Sequence, residues 1–495
     1  MIEMSVARIA EIVGGELVDI GAADAARTVV TGTVEFDSRA VTSGSLFLAL
    51  PGARSDGHDF APAAVAAGAV AVLAARPVGV PAVVVRPERG DTSASVLEHD
   101  VDGSGSAVLA ALARLAAAVA ADLVAHGLTI VGVTGSSGKT STKDLLSAVL
   151  SPLGEVVAPP GSFNNELGHP WTVLRATTDT DYLILEMSAR HPGNIAALAA
   201  IAPPRIGVVL NVGTAHLGEF GTRQAIADTK AELPQSVPPD GVVILNADDS
   251  AVAAMAAKTR ARVVRVSRTD TGADVVAEDV LLDDLARPRF TLRHGDRTAQ
   301  VQLAVHGDHQ VSNALCAAAV ALECGATVDQ VAASLAGAGP VSPHRMAVTT
   351  RADGVTVIND AYNANPDSMR AGLQALAWMS RQPDTRRGFA VLGEMAELGD
   401  EAISEHDRIG RLAVRLDVSR LVVVGTGRSM SAMHQGAVME GSWGAEATRV
   451  DDADAALAVL RAELRPGDVV LVKASNSAGL AKLAQALIAD GETSE

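Results

Sequence analysis

Residues Thr134-Gly-Ser-Ser-Gly-Lys-Thr140 combine the side chains and backbone needed to hold a chain of phosphates. Glycine and serine let backbone N–H groups approach an oxyanion closely. Lys139 supplies a positive charge for the terminal phosphates, and the Thr140 hydroxyl can ligate Mg²⁺. The apolar run Leu128 to Val133 leads into this loop, and the helix-compatible Asp144-Leu-Leu-Ser-Ala-Val-Leu150 follows it. Strand, loop and helix in that order aim the loop N–H groups and the positive end of the helix at one point. The loop is tighter than the usual phosphate-binding pattern, because Val133 stands where a glycine is common. A Gly/Ser-rich turn that binds nothing is the alternative. The Gly-Lys-Thr-Ser run in this context favours a nucleotide.

Three further apolar runs end in polar residues. Tyr182 to Leu185 ends in Glu186, Ile206 to Leu210 in Asn211-Val-Gly-Thr-Ala-His216, and Val242 to Leu245 in Asn246-Ala-Asp-Asp249. Ligands of doubly wound sheets sit at the carboxyl ends of the strands, so Glu186, His216, Asp248 and Asp249 are expected on the edge that carries Lys139. Glu186 occupies the place of a Mg²⁺-binding carboxylate. His216 is equally readable as a ligand or as a structural histidine. Nearer the N-terminus, Asp37-Ser-Arg39 can hold a ligand through Ser38 and Arg39, or can form a turn with a surface ion pair. The residues alone leave both readings open.

The elements that must position these groups read as α/β throughout. A chain of 495 residues accommodates about three domains. Apolar residues make up 48% and aromatics only 2%, so the cores are built from Ala, Val and Leu. The first unit, 1–105, is a small α/β domain that ends in a charged, Gly/Ser-rich insertion or linker at 86–105. The central unit, 106–342, carries the phosphate loop and closes with short antiparallel strands between Val275 and Val305. The last unit, 343–495, repeats a β–α rhythm and is a second open, Rossmann-like sheet without a Gly-rich dinucleotide fingerprint. The net charge of −18 argues against a nucleic-acid-coating protein. Cys316 and Cys324 lie in an Ala-rich helical stretch and suit buried thiols in a reducing cytoplasm. No signal peptide is legible, and Ala107 to Leu128 reads as a packed helix, because Arg114, Asp122 and His126 interrupt it.

A phosphate loop between two α/β units fits kinases, motors and ATP-driven ligases. Polar loops from three units converging on one site suit three ligands: ATP, an acid and an amine.

The run Thr134–Thr140, with Leu185-Glu186-Met187, Asn211–His216, Lys230 and Gly307-Asp-His309 leading to Asn313, resembles the Mur ligases. These are ATP-dependent amide-forming enzymes of bacterial cell-wall precursor synthesis. Gly161-Ser-Phe-Asn-Asn-Glu-Leu-Gly-His-Pro170, Asn359-Asp-Ala-Tyr-Asn-Ala-Asn-Pro-Asp-Ser-Met369 and Val391-Leu-Gly-Glu-Met-Ala-Glu-Leu-Gly399 resemble the branch that adds D-alanyl-D-alanine to a UDP-N-acetylmuramoyl-tripeptide. The resemblance implies an acyl-phosphate intermediate, release of ADP and phosphate, and two Mg²⁺ ions with Thr140, Glu186 and His216 among their ligands. It implies carbamoylation of Lys230, which the residues alone would make a solvated helix lysine. It places the nucleotide on Thr134, Gly135, Ser136, Ser137, Gly138, Lys139 and Thr140, with His309 and Asn313 near the adenine and ribose. Arg345 and Asp360 come from the closing third domain, and Asn363 and Asn365 contribute to the closed site. Ser38 and Arg39 are implied to hold the uridine nucleotide, and Asn164 and Asn165 the muramoyl-peptide. The resemblance leans towards a cytoplasmic monomer with neither nucleic-acid nor membrane partners. His344 departs from the family, which more often has glycine before the arginine.

Two relatives of similar design compete. The sibling that adds the third peptide residue carries Asn-Pro-Arg in its acceptor loop, whereas Asn365-Pro366 is followed here by Asp367. Folylpolyglutamate synthase would lack the uridine-binding first domain. A nucleotide-binding regulator without ligase chemistry is the reading from a different class.

Overall fold

A computed structural model describes residues 1–87, 100, 102–159, 161–213, 217–381, 386–441 and 446–491. Most of the insertion expected at 86–105, and His216, lie outside these residues. Among the described residues the strands form four sheets. A two-stranded pair joins Met4–Ser5 to Val29–Val30, and a five-stranded sheet of the first unit spans Glu16–Val18 to Ala82–Val84. A nine-stranded sheet and a six-stranded sheet follow, one in each of the other two units. The chain has the three-domain α/β architecture expected of it.

The nine-stranded sheet sets the site. Its parallel part places Thr129–Thr134 between Tyr182–Glu186 and Ile206–Val209, with Val242–Asn246 beyond. Strand order reverses at Thr129–Thr134, which opens a crevice at the carboxyl ends of the strands. The phosphate loop leaves that strand and enters the helix Lys139–Leu150. These strands are apolar along their whole length because helices cover both faces. Val131, Val133, Ile184, Val208 and Ile244 face one core, while Ile130, Leu183, Leu185, Val209 and Leu245 face the other. The expected antiparallel end is Val275–Leu282, Pro288–His294 and Arg297–Gln302. The strand Arg262–Ser267 joins the two parts. Its apolar run is interrupted by exposed Arg262 and Arg265, so the sequence pattern does not mark it as a strand.

In the six-stranded sheet the parallel strands Thr356–Asp360, Val469–Lys473, Gly388–Leu392, Arg420–Val424 and Ala447–Val450 lie side by side. Ala347–Thr350 is its antiparallel edge. Register places Asp360 directly beside Lys473 at the carboxyl ends. Short, partly exposed edge strands such as Ala347–Thr350 and Ala447–Val450 carry little apolar signal and were not legible.

The helix Ser104–Ala125 is long and apolar enough to cross a membrane by composition alone. Its stripe Val108, Leu112, Leu115, Val119 and Leu123 is nevertheless buried in a core shared with the first unit. Arg114 Nη2 donates to the Val13 carbonyl at 2.9 Å, and the buried Asp100 carboxylate accepts from the Gly105 and Ser106 N–H groups at 2.8 Å. Cys316 and Cys324 are free thiols, and burial pushes them up to about 12 and about 11.

The first unit is also held by a cluster of rings. Trp171 stands edge-on to Phe36, with centroids 5.7 Å apart, and 4.6 Å from Phe163. Its indole N–H donates to the Val34 carbonyl at 2.8 Å. Trp171→Ala removes a buried ring and this bond together. It should lower stability by about 3 kcal/mol or more, read as a fall in the unfolding midpoint of the first transition; an unchanged midpoint would mean that the ring cluster does not hold the units together.

Candidate active site

Gly138 caps the helix Lys139–Leu150 with φ +83°, a conformation open to glycine. A Cβ at this position would also lie 2.6 Å from Asn313 Oδ1, so the Asn313 side chain packs directly on the loop backbone. Asn211 pins the loop from the neighbouring strand: its Oδ1 accepts from Ser137 N at 3.0 Å and its Nδ2 donates to the Ser137 carbonyl at 3.2 Å. Ser136 Oγ accepts from Gly213 N at 2.9 Å. Lys139 is half-buried, and its ammonium folds back onto the Gly135 carbonyl at 2.7 Å. Burial lowers its pKa, Glu186 opposes that shift and Arg345 adds to it.

Glu186 ends its strand fully buried behind Thr140. Its Oε2 accepts from Thr140 Oγ1 at 3.3 Å and from Ser162 Oγ at 3.2 Å, while Oε1 has no partner. Burial raises its pKa, and Lys139, Lys143 and Arg345 pull it down. An orphaned carboxylate oxygen next to a hydroxyl is a hard-oxygen pair suited to Mg²⁺. Among the described residues no group of three or more His, Cys, Asp or Glu gathers to hold a metal. An ion on this pair would take its remaining ligands from outside that pair, phosphate oxygens and water among them.

The third unit meets the loop directly. Arg345 Nη2 donates to Thr140 Oγ1 at 3.3 Å and its guanidinium lies 4.1 Å over the Tyr362 ring. Asn365 Nδ2 donates to the Ser136 carbonyl at 3.3 Å, while its Oδ1 caps the helix Pro366–Ser380 through Ser368 N. Asp360 accepts from Met346 N at 3.1 Å and from Lys473 Nζ at 2.6 Å. Lys473 is buried, which lowers its pKa, and Asp360 opposes the shift.

These walls enclose a cavity of about 760 Å³. Ser136, Ser137, Gly138, Lys139, Thr140, Asn164, Asn165, His309, Asn313, Arg345, Asp360, Asn363 and Asn365 all line it. Thr134 and Gly135 do not line it. The Thr134 hydroxyl donates to the Met187 carbonyl at 2.9 Å, and Gly135 offers its carbonyl to Lys139. Asn165 Oδ1 accepts from Gly168 N at 2.9 Å, and Asn164 Nδ2 donates to Ser162 Oγ at 2.7 Å. Ser38 and Arg39 do not line the cavity. Arg39 instead makes an exposed pair with Asp37, Nη2 to Oδ2 at 2.7 Å. In the sequence Lys473 is only the polar end of the apolar run Val469 to Val472. Lys143, Asp144 and Ser342 carry no sequence signal, because the bonds that tie the first two to Ser342 span about 200 positions.

Lys230 ends the helix Arg223–Lys230, buried, and its amine is depressed to about 7 by burial first and the Lys139 charge second. His309 is half-buried, and burial lowers its pKa as well.

A phosphate loop at a sheet switch point, closed by cationic and amide groups of a second α/β unit, defines a nucleotide-dependent enzyme. The descriptions "Mur ligase family, catalytic domain", "Mur ligase middle domain" and "Mur ligase, glutamate ligase domain" match residues 32–119, 133–321 and 344–476. The chain belongs to the Mur ligase family. It is 75% identical over 503 aligned positions to the UDP-N-acetylmuramoyl-tripeptide–D-alanyl-D-alanine ligase of Mycobacterium tuberculosis, covering 99% of this chain and 98% of the relative. A crystal structure of MurF from Acinetobacter baumannii superposes with TM-score 0.81 at 28% identity, covering 98% of this chain and 99% of that one. MurF from Thermotoga maritima in complex with ADP gives 0.75 at 28% identity, covering 94% and 99%.

The unfolded chain keeps Lys230 protonated to about pH 10.5, the folded protein only to about pH 7. Between those values the unfolded state binds more protons, so stability rises with pH; below pH 7 the full penalty of a buried ammonium remains. Lys230→Met should therefore be more stable than the wild type at pH 6. The gap should shrink as pH rises towards 10, measured by guanidinium unfolding in CO₂-free buffer. A gap independent of pH would mean that the amine is not depressed.

Proposed function

We propose that this chain joins the amino group of D-alanyl-D-alanine to the terminal carboxylate of a UDP-N-acetylmuramoyl-tripeptide, converting ATP to ADP and phosphate. The observation that carries this reading is the single cavity bounded by Lys139, Thr140 and Asn164 on one wall and Arg345, Asp360, Asn365 and Lys473 on the other. The full-length identity to the mycobacterial ligase narrows the substrates, and the ADP complex of the Thermotoga relative supports the nucleotide.

The carboxylate attacks the γ-phosphorus, the bond to the bridging β,γ-oxygen breaks, and ADP leaves. The amine then attacks the acyl carbon of the mixed anhydride. The bond from that carbon to the phosphate oxygen breaks, phosphate departs, and the amine loses a proton. Lys139 leaves the Gly135 carbonyl for the phosphates, and Arg345 approaches from the opposite wall. Fixed cations stabilise the charge that develops during both transfers. Asn211 and Asn313 hold the loop backbone in place. His309 and Asn313 flank the nucleoside, and Asn164, Asn165, Asn363 and Asn365 orient the peptide partners. Ser38 and Arg39 serve the uridine end, where Arg39 would exchange Asp37 for the ligand. Closure of the three units excludes water, which would otherwise hydrolyse the anhydride.

Mg²⁺ bound at Thr140 and Glu186, with His216 as a further ligand, would neutralise the crowded phosphate oxygens. Lys230 has a neutral fraction at neutral pH. The neutral amine can add to CO₂, forming an N–C bond and losing a proton, so that a buried cation becomes a carbamate anion.

Lys139→Ala should lower turnover by about 10³-fold, and Glu186→Gln should lower turnover and raise the Mg²⁺ concentration needed for half-maximal rate. The assay combines ATP, UDP-N-acetylmuramoyl-tripeptide and a series of D-dipeptides, with phosphate and amide product measured together. Equal amounts of both, with preference for D-alanyl-D-alanine, are expected. Phosphate without amide would reject ligation, and near-normal turnover of Lys139→Ala would reject the phosphate-loop role.

A further inference from the structure

The segment joining the central and third units is gripped from both sides. Ser342 is buried, and both its hydrogen-bond donors reach Asp144, on the helix that begins at the phosphate loop. Ser342 N donates to Asp144 Oδ2 and Ser342 Oγ to Asp144 Oδ1, each at 3.1 Å. Asp144 is held in turn by Lys143, Nζ to Oδ1 at 2.7 Å, with the two side chains only 4% and 12% exposed. The same ammonium reaches Ser342 Oγ at 3.2 Å and the Pro159 carbonyl at 2.8 Å.

On the other side, His344 and Met346 both adopt left-handed backbone, φ +59° and +49°. Such a conformation is strained for side chains larger than glycine and persists only where its surroundings fix it. Here they do. Asn359 Nδ2 donates to His344 Nδ1 at 2.9 Å, and Met346 N donates to Asp360 Oδ1. Between these grips lies Arg345, whose guanidinium reaches Thr140 and stacks on Tyr362.

We propose that Asp144, braced by Lys143, is a positioning residue: by capturing Ser342 it fixes the connecting segment so that Arg345 is delivered onto Thr140 of the phosphate loop. Asp144 lies one helical turn beyond Thr140, so the element that bears the cation's target also anchors the segment that brings the cation. Nucleotide binding and closure of the third unit are thereby mechanically joined. A surface pair could not do this, because solvent would compete for it; a largely buried carboxylate bonded to both donors of one residue sets distance and direction. This inference rests on the ligase reading above for the role of Arg345, and adds residues that do not line the nucleotide cavity.

The test is a double-mutant cycle on kcat and KM for ATP in the full-length enzyme, with Ser342→Ala, Asp144→Asn and Arg345→Lys alone and paired. Ser342→Ala should lower kcat by about ten-fold, the scale of one or two lost hydrogen bonds, with KM for ATP changed less than two-fold and the unfolding midpoint kept. Ser342→Thr should restore most of the loss. In the Arg345→Lys background Ser342→Ala should have little further effect, because both changes disable one delivery step. Equal losses in both backgrounds, or wild-type kcat in both Ser342→Ala and Asp144→Asn, would overturn the proposal. If Arg345→Lys is too slow to time, amide exchange over residues 342–346 decides. Faster exchange in Ser342→Ala at an unchanged midpoint supports the grip, and unchanged exchange overturns it. Normal turnover of Arg345→Lys and Arg345→Ala would instead remove the catalytic role of Arg345, a separate failure from that of the grip.

Discussion

A carboxylate, Glu186, is buried at the end of a central strand with one oxygen unpartnered, and the surrounding groups answer that cost. Burying a charge is unfavourable unless other charges and hydrogen bonds compensate it. Lys139 and Lys143 come from the helix after the phosphate loop, Arg345 from the third unit, and all three pull Glu186 back towards its ionised form. Thr140 and Ser162 occupy its other oxygen. A site in which cations outnumber carboxylates in a small buried space is well matched to a polyphosphate with its metal ion. Lys139 and Lys230 lie close enough for one charge to depress the other, so the resting arrangement is electrostatically short of anions.

The fold serves this centre by bringing two sheet edges together. The loop stands where strand order reverses in the nine-stranded sheet. The register of the six-stranded sheet puts Asp360 beside Lys473 on the facing edge. The central parallel strands of each sheet are buried on both faces, and the segment between the sheets is pinned to both of them. Asn365 shows how tightly the units are joined: one side-chain atom caps its own helix and another bonds the phosphate loop. The first unit is attached by the Phe36, Phe163 and Trp171 rings and by the shared helix Ser104–Ala125.

The phosphate loop and Glu186 were legible from residue types because strand, turn and helix are local, and local order is written in periodicity. Lys230 was not. A lysine at a helix end reads as solvated, and only the packing above it creates the burial that lowers its amine. Only the family resemblance marked it. The same applies to Lys473, whose meaning depends on a strand partner more than a hundred positions earlier. The position before Arg345 is left-handed, a conformation that suits glycine; His344 occupies it at the expense of strain and gains a bond to Asn359. Arg39 shows the opposite limit, since both readings of Asp37-Ser-Arg39 survive: its ion pair with Asp37 is formed, and nothing prevents a ligand from replacing it.

Activation of the carboxylate by ATP before the amine attacks is tested most directly by supplying the tripeptide substrate with ¹⁸O in the terminal carboxylate and following the label through one turnover. One labelled oxygen should appear in inorganic phosphate for each amide bond formed, because the oxygen leaves with the phosphate. Phosphate free of label, formed alongside amide, would contradict acyl-phosphate activation and with it this account of the site.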